Sequence, residues 1–238
     1  KKLEKHISYI ETNKLFEKDN LVINNPSQYF ESDNFIIETN SPFGDFIDNY
    51  KLKEIKLSKL FESKEIEHLG GLVYGKQEEV PYKTSKKVIT ASNLDLNTGK
   101  LIFKDKIIYL NEDFELPTAI KPKKGDIIIS NSSGSLKHLG KVVYVDKDYS
   151  DCAIGGFLSI IRCKDIKLSK AVFYRLMSFK FRKYIATLRG QNINNMDLDK
   201  LKAFKFEIPL KLEDFNKETE QKEMDLADIL TKMENLKI

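Results

Sequence analysis

The 238-residue chain lacks any apolar run that could cross a bilayer. Its longest, Ile127–Ile129 and Phe157–Ile161 around one Ser, fall far short of the ~20 residues a spanning helix needs. No apolar signal core follows Lys1-Lys2-Leu3 and no Met opens the chain, so a cytoplasmic protein, or a piece cut from a longer one, is expected. Cysteine is scarce: Cys152 and Cys163 sit in apolar text, where the residue behaves as a small buried side chain. The three histidines, His6, His68 and His138, are too scattered to make a zinc spacing with them, so no metal site is expected. Also missing are a Gly-x-Gly-x-x-Gly turn opening a helix after a strand, a Walker loop, a Gly-x-Ser-x-Gly elbow and any workable Ser/His/Asp order. No catalytic residue is assigned, and there is no internal repeat.

What is present is enough apolar matter for a sizeable core. A content of 41% hydrophobic and 11% aromatic residues excludes wholesale disorder and fibrous classes. The formal net charge of +4 is unevenly spread. Residues 1–52 carry 6 Lys+Arg and 9 Asp+Glu, residues 53–210 carry 29 and 19, and residues 211–238 carry 5 and 8. A middle at +10 between acidic flanks suits a domain that meets a polyanion, and it suits equally a solvated Lys-rich surface.

Turn-rich text such as Asn24-Asn25-Pro26-Ser27 and Asn40-Ser41-Pro42, beside a short amphipathic piece (Leu3, Ile7, Ile10), makes residues 1–52 a tail or linker. Leu57, Leu60 and Phe61 mark one helix from Lys56. Strand signals follow at Val88–Ala91, Ile107–Leu110, Ile127–Ser130, Val142–Val145 and Ile154–Ile161. After Lys167 the period changes to that of a helix, capped by Ser169 and running to Leu188. A short helix at Asp197–Leu201 and a strand at Phe204–Ile208 close the domain at Pro209. The expected fold is α+β: a twisted, mostly antiparallel, sheet-rich domain over 53–210, with an N-terminal extension (1–52) and a C-terminal helix (211–238) for helix–helix packing.

Two polar loops carry the chemistry that remains. Gly125 to Gly140 is a strand running into small hydroxyls, an amide and a basic pair: Asn131, Ser132, Ser133, Ser135, Lys137 and His138. Such groups donate to phosphates and base edges alike, although an ordinary Ser-rich hairpin reads the same way. The second loop, Arg189-Gly190-Gln191-Asn192-Ile193-Asn194-Asn195, offers an Arg fork for guanine and Gln or Asn for adenine. A helix that stops at Gly190 with Asn capping is the alternative.

In this order the pieces resemble a target recognition domain, the unit that makes up the specificity subunits of type I restriction-modification systems and the matching part of single-chain restriction-methylation enzymes. The resemblance runs through Val88-Ile89-Thr90-Ala91-Ser92-Asn93-Leu94, Gly99-Lys100-Leu101, Gly125 to Ser130, Gly140-Lys141-Val142 and Ala153-Ile154-Gly155-Gly156-Phe157. It continues through Tyr174 to Ile185, Gly190-Gln191-Asn192-Ile193 and Phe206-Glu207-Ile208-Pro209-Leu210, so that residues 56–238 are covered. The family follows Ile-Pro-Leu with another Pro and a helix-opening Gln, whereas here Lys211 to Phe215 intervene before Gln221. Asn24 to Tyr29 is similar to the Asn-Pro-Ser-basic-Tyr text near the end of adenine methyltransferase parts, with Gln28 in the basic position.

The resemblance implies a double-stranded DNA recognition module serving an N6-adenine methyltransferase or restriction-modification complex. S-adenosylmethionine would then be held by a partner or upstream catalytic domain, with no cofactor in this chain. The implied partners are DNA, a methyltransferase subunit or domain, and a restriction subunit. Lys76, Lys83, Lys86, Lys87 and Lys137 would meet phosphates; Ser92, Asn93, Ser133, Ser135, His138, Arg189, Gln191 and Asn192 would lie near bases. Two other readings stay open: a stand-alone adenine methyltransferase with Asn24 to Tyr29 as a degenerate site, and a protein-interaction module with a basic surface.

Leu226, Ile229, Met233 and Leu236 recur at steps of three, four and three, the narrow seam of a helix that docks on another helix. Replacing Leu226 and Met233 with Glu is expected to abolish assembly with the methyltransferase subunit, by size-exclusion chromatography, while circular dichroism shows an intact fold. Loss of the fold instead would mean that the seam packs on the chain's own core.

Overall fold

The run Ile127-Ile128-Ile129-Ser130 has no polar alternation, as expected of a strand covered on both faces. All four residues are buried in the computed structural model, which describes residues 52–95, 98–103, 107–132, 139–188, 195–217, 220–221 and 224. Twelve strands are described: β1 (Leu52–Lys56), β2 (Ile66–Gly70), β3 (Glu79–Val80), β4 (Lys87–Ile89), β5 (Leu94–Asp95), β6 (Lys100–Leu101), β7 (Ile108–Leu110), β8 (Ile127–Ser130), β9 (Val142–Tyr144), β10 (Cys152–Ile154), β11 (Leu158–Cys163) and β12 (Lys205–Pro209). Four of the described α-helices are α1 (Leu57–Glu62), α2 (Ile166–Met177), α3 (Phe179–Thr187) and α4 (Leu198–Ala203). None is long and apolar enough to cross a membrane.

A central antiparallel sheet has the order β2-β11-β8-β9, and a second sheet has the order β10-β4-β7-β3 with β10 and β4 parallel. The fold is α+β and mostly antiparallel. Because successive side chains point to opposite faces, the central sheet divides its residues between two cores. Ile127, Ile129, Val142 and Ile161 pack with Leu168, Val172, Phe173 and Leu176 of α2. Ile128, Val143 and Ile160, aligned across three strands, pack instead with Val88, Ile89, Leu110 and Ile154 of the second sheet. The sequence of layers is therefore helices, central sheet, second sheet.

The text at Ile154–Ile161 is two strands rather than one. Gly155-Gly156 makes the break, and a Cβ on Gly71 would overlap the Gly155 carbonyl oxygen, so the two backbones can touch only through glycine. Helix α2 begins earlier than Ser169: Asp165 is its cap, accepting from the Lys167 N–H at 2.8 Å. Ser169 lies within the first turn, fully buried, and donates its hydroxyl to the Gly125 carbonyl. The strand β1 has no counterpart in the sequence reading. It pairs antiparallel along its length with β12, and the Leu57 N–H then donates to Phe204 O at 3.0 Å.

Two arginines, one buried and one half-buried, tie the layers together. Arg175 is 2% exposed and donates from Nε to Glu207 O at 2.6 Å, joining α2 to β12. Arg162 grips Asp126, at the entrance of β8, through Nε (2.8 Å) and Nη2 (2.7 Å), and its Nη1 donates to Ala119 O at 3.0 Å. The Lys123 N–H completes the carboxylate's shell at 2.7 Å. Residues 212–217 are helical, and Phe215 sits edge-on to Tyr174 with centroids 5.8 Å apart, in the helical core. The seam residues Leu226, Ile229, Met233 and Leu236, and all of residues 1–51, lie outside the described residues.

Asp126 is 1% exposed, so removing its fork leaves a charge in the interior. Arg162→Met is expected to lower unfolding free energy by about 3–5 kcal/mol in urea titration. Asp126→Asn in the same background, which removes the stranded charge, should recover part of that loss.

Candidate nucleic-acid interface

Strand β8 delivers the chain to Asn131 and Ser132, and β9 takes it back at Leu139 and Gly140. The hairpin is closed by Gly140 N–H to Ser130 O (2.8 Å) and Ser130 N–H to Lys141 O (2.9 Å). Gly140 has φ +68, and a Cβ there would lie 3.0 Å from Ile185 Cγ1, so the turn back into β9 takes its shape from glycine. The outgoing foot is held from β11's side: Asn131 and Ser132 N–H groups both donate to Phe157 O, at 2.9 and 3.3 Å, and the Asn131 amide donates to Ser159 Oγ.

The second loop leaves from α3, whose Phe181 and Ile185 are buried in the helical core, and returns at Asn195. There the chain makes an antiparallel bridge to Ser132, and the Met196 N–H donates to Asn131 O at 2.6 Å. Met196 is 2% exposed, and Asp197 caps α4 by accepting from Lys200 N–H at 2.9 Å. Arg182 on α3 is 5% exposed and donates from Nη1 to Leu139 O at 3.0 Å. The feet of both polar loops thus meet at one junction, braced by Phe157 O, the Ser132–Asn195 bridge and Arg182. The loop residues themselves, Ser133, Ser135, Lys137, His138, Arg189, Gln191 and Asn192, lie outside the described residues.

A third segment is linked to the junction through half-buried Lys141, whose ammonium lies 3.5 Å from Ala91 O and 3.4 Å from Leu94 O. Burial lowers its pKa, against the raising effect of Asp95 and with a further lowering from Arg182. Between those two carbonyls lie Ser92 and Asn93. Ser92 is exposed and shares a 2.8 Å hydrogen bond with Thr90 Oγ1. Asn93 corrects the sequence reading: it is 1% exposed, its Oδ1 accepts from Thr90 N–H (2.9 Å), and its Nδ2 donates to Ile102 O (3.1 Å). Its amide holds a turn closed and is not presented to a base.

Of the candidate lysines, Lys137 lies outside the described residues and the other four belong to one segment. Lys76, Lys83, Lys86 and Lys87 all fall between the start of the 76–78 turn and β4, in the second sheet's region. Lys76 and Lys83 are exposed and Lys86 is half-buried. Lys87 is ion-paired with Asp151, which raises its pKa and offsets its charge. Sequence reasoning passed over Ser132, Asn195 and Arg182 as anchors, and the exposed ring of Phe157; only the glycine pair before Phe157 hinted at a turn there.

Among the described residues, chemistry of other kinds finds little material. Burial pushes the Cys152 and Cys163 thiols up to about 12, so both are protonated at neutral pH. His68 is lowered by burial and by Lys202. Among the described residues no three His, Cys, Asp or Glu side chains cluster as metal ligands. A cleft of about 650 Å³ beside Tyr144 and Phe173 holds no Ser, Cys or His, and its Lys167 and Lys170 are paired with Glu213 and Glu220.

No family model matches the chain, and no curated protein does. Among solved structures it is similar to a type I restriction-modification system S subunit from M. genitalium, at 13% identity and a TM-score of 0.48 over 98% of this chain and 53% of that one. It is similar to the HsdS subunit from Thermoanaerobacter tengcongensis at 13% and 0.48, over 98% and 52%. A structure described for complex assembly and conformational transition of the type I R-M system gives 12% and 0.49, over 98% and 56%. The chain spans about half the length of these structures.

Arg182→Met keeps the apolar stem and deletes the donor to Leu139 O. It is expected to cost about 1–3 kcal/mol of stability, the penalty for an unsatisfied buried acceptor. Amide exchange should quicken at Gly140 and Lys141 more than in β2 or β12.

Proposed function

We propose that the chain is a sequence-specific double-stranded DNA recognition module that directs an N6-adenine methyltransferase or restriction-modification complex to its site. The observation that carries this reading is the Ser132–Asn195 bridge. Two loops far apart in sequence, each rich in the donors and acceptors that read base edges, start from the same point. The ordered resemblance to target recognition domains supports it, as does the +10 charge of residues 53–210. Arg189, Gln191 and Asn192 on one loop, and Ser133, Ser135 and His138 on the other, then read bases. Lys76, Lys83, Lys86 and Lys137 sit on phosphates. Methyl transfer and S-adenosylmethionine belong to a partner or upstream domain, and DNA cleavage to a restriction subunit.

Duplex binding measured at several salt concentrations tests this. Lys83→Ala or Lys86→Ala should weaken all duplexes alike and reduce the slope of log affinity against log salt by ~1 each. Lys87→Ala should change the slope less, because Asp151 already balances that charge. Arg189→Ala or Gln191→Ala should relax preference at one base pair by ~1–3 kcal/mol. An unchanged rank order of substituted duplexes would make the second loop a helix cap. Turnover of labelled S-adenosylmethionine by the chain alone would remove the reading of a non-catalytic module.

A further inference from the structure

Phe157 is 71% exposed, at the apex of the turn between β10 and β11, while its neighbour Leu158 is 1% exposed. Val73 beside it is 87% exposed, and its Cγ2 would lie 3.4 Å from a Cβ placed on Gly156. Val73 thus neighbours Gly156 in space and Phe157 follows it in the chain, so two exposed apolar side chains, a small ledge, belong to one turn. Its position is fixed by the backbone: Phe157 O is the acceptor for both Asn131 and Ser132 N–H groups, and Ser132 bridges to Asn195. The ledge stands at the foot of both polar loops.

We infer that Phe157, with Val73, makes the apolar contact to a thymine C5-methyl group in the recognised duplex. The inference rests on the DNA reading above and adds a residue and a base to it. Two side chains are too small an area for a stable protein interface, which takes hundreds of Å² per partner. They match a single methyl. The Phe157 backbone also anchors the chain at Asn131 and Ser132, and through Ser132 at Asn195, where the two polar loops begin and end, in a segment whose +10 charge complements a polyanion. In the major groove thymine alone presents a methyl beside such an acceptor, and apolar side chains are what distinguish it.

The test uses duplexes recovered by the chain from a random pool, with each thymine replaced in turn by deoxyuridine, so that only the methyl is lost. Binding by fluorescence anisotropy should weaken about fourfold at one position, the equivalent of one buried methyl group. In Phe157→Ser the thymine and deoxyuridine duplexes should bind equally, and Phe157→Leu should retain the difference. Thermal melting of both variants should match the wild type, since the ring is already in water. A wild-type chain that distinguishes duplexes but is blind to deoxyuridine everywhere overturns the contact and leaves the DNA reading standing. So does a deoxyuridine effect that survives in Phe157→Ser. Loss of assembly with a partner protein at unaltered DNA preference makes the ledge a protein contact and overturns it as well. A wild-type chain with no preference among duplexes overturns both.

Discussion

Strand β8 has to be apolar on both faces, and the rest of the architecture depends on that. Ile127 and Ile129 on one side and Ile128 on the other are each completely buried, and they belong to different cores. A register slip of one residue would exchange the two sets, setting Ile128 against the helices and its neighbours against the second sheet. Flanking strands hold the register on both edges, with β11 matching Ile160 and β9 matching Val143 to Ile128. The bidentate Arg162–Asp126 pair fixes where β8 begins. Its end, at Ser130, is where the candidate interface starts.

That interface inherits rigidity from groups that never touch a ligand. The feet of the loops are bound to backbone carbonyls of a packed turn (Phe157), to a strand-like bridge (Ser132 with Asn195) and to a buried guanidinium (Arg182 on Leu139 O). A site that reads hydrogen-bond patterns requires such support, because misplacement by a fraction of a hydrogen-bond length removes discrimination while leaving charge attraction intact. Positive charge is divided accordingly. Arg175, Arg182 and Arg162 work inside the fold and Lys87 is matched by Asp151, while Lys76 and Lys83 stay in solvent.

Local pattern was enough for the elements that bury themselves. The isoleucine run of β8, the apolar text of β4 and β9 and the helical period of Ala171, Tyr174 and Leu176 declared themselves, and so did the alternation that closes the domain in β12. Each is dictated by side chains that must leave water at a fixed period. Caps and breaks were less legible. Ser169 and Asp165 are both competent caps, and the choice fell to Asp165 because Gly125 O was available to take the Ser169 hydroxyl.

Residue order and composition were enough for the make-up of the core, the α+β class, the concentration of positive charge in residues 53–210 and the polar character of the two loops. Tertiary structure alone decided that those loops share one junction, since a bridge between Ser132 and Asn195 spans a chain separation that no local pattern encodes. It decided too that β1 is a strand, because Leu52-Lys53-Glu54-Ile55-Lys56 has little apolar surface of its own and is ordered by its ladder to β12. Asn93 was chemically fit for a base, yet the partners Thr90 and Ile102 took both ends of its amide. Phe157 opens the apolar run Phe157–Ile161, yet it is left in water at the Gly155-Gly156 turn. A residue's type states what it can bond to, and only the packed chain decides what is within reach.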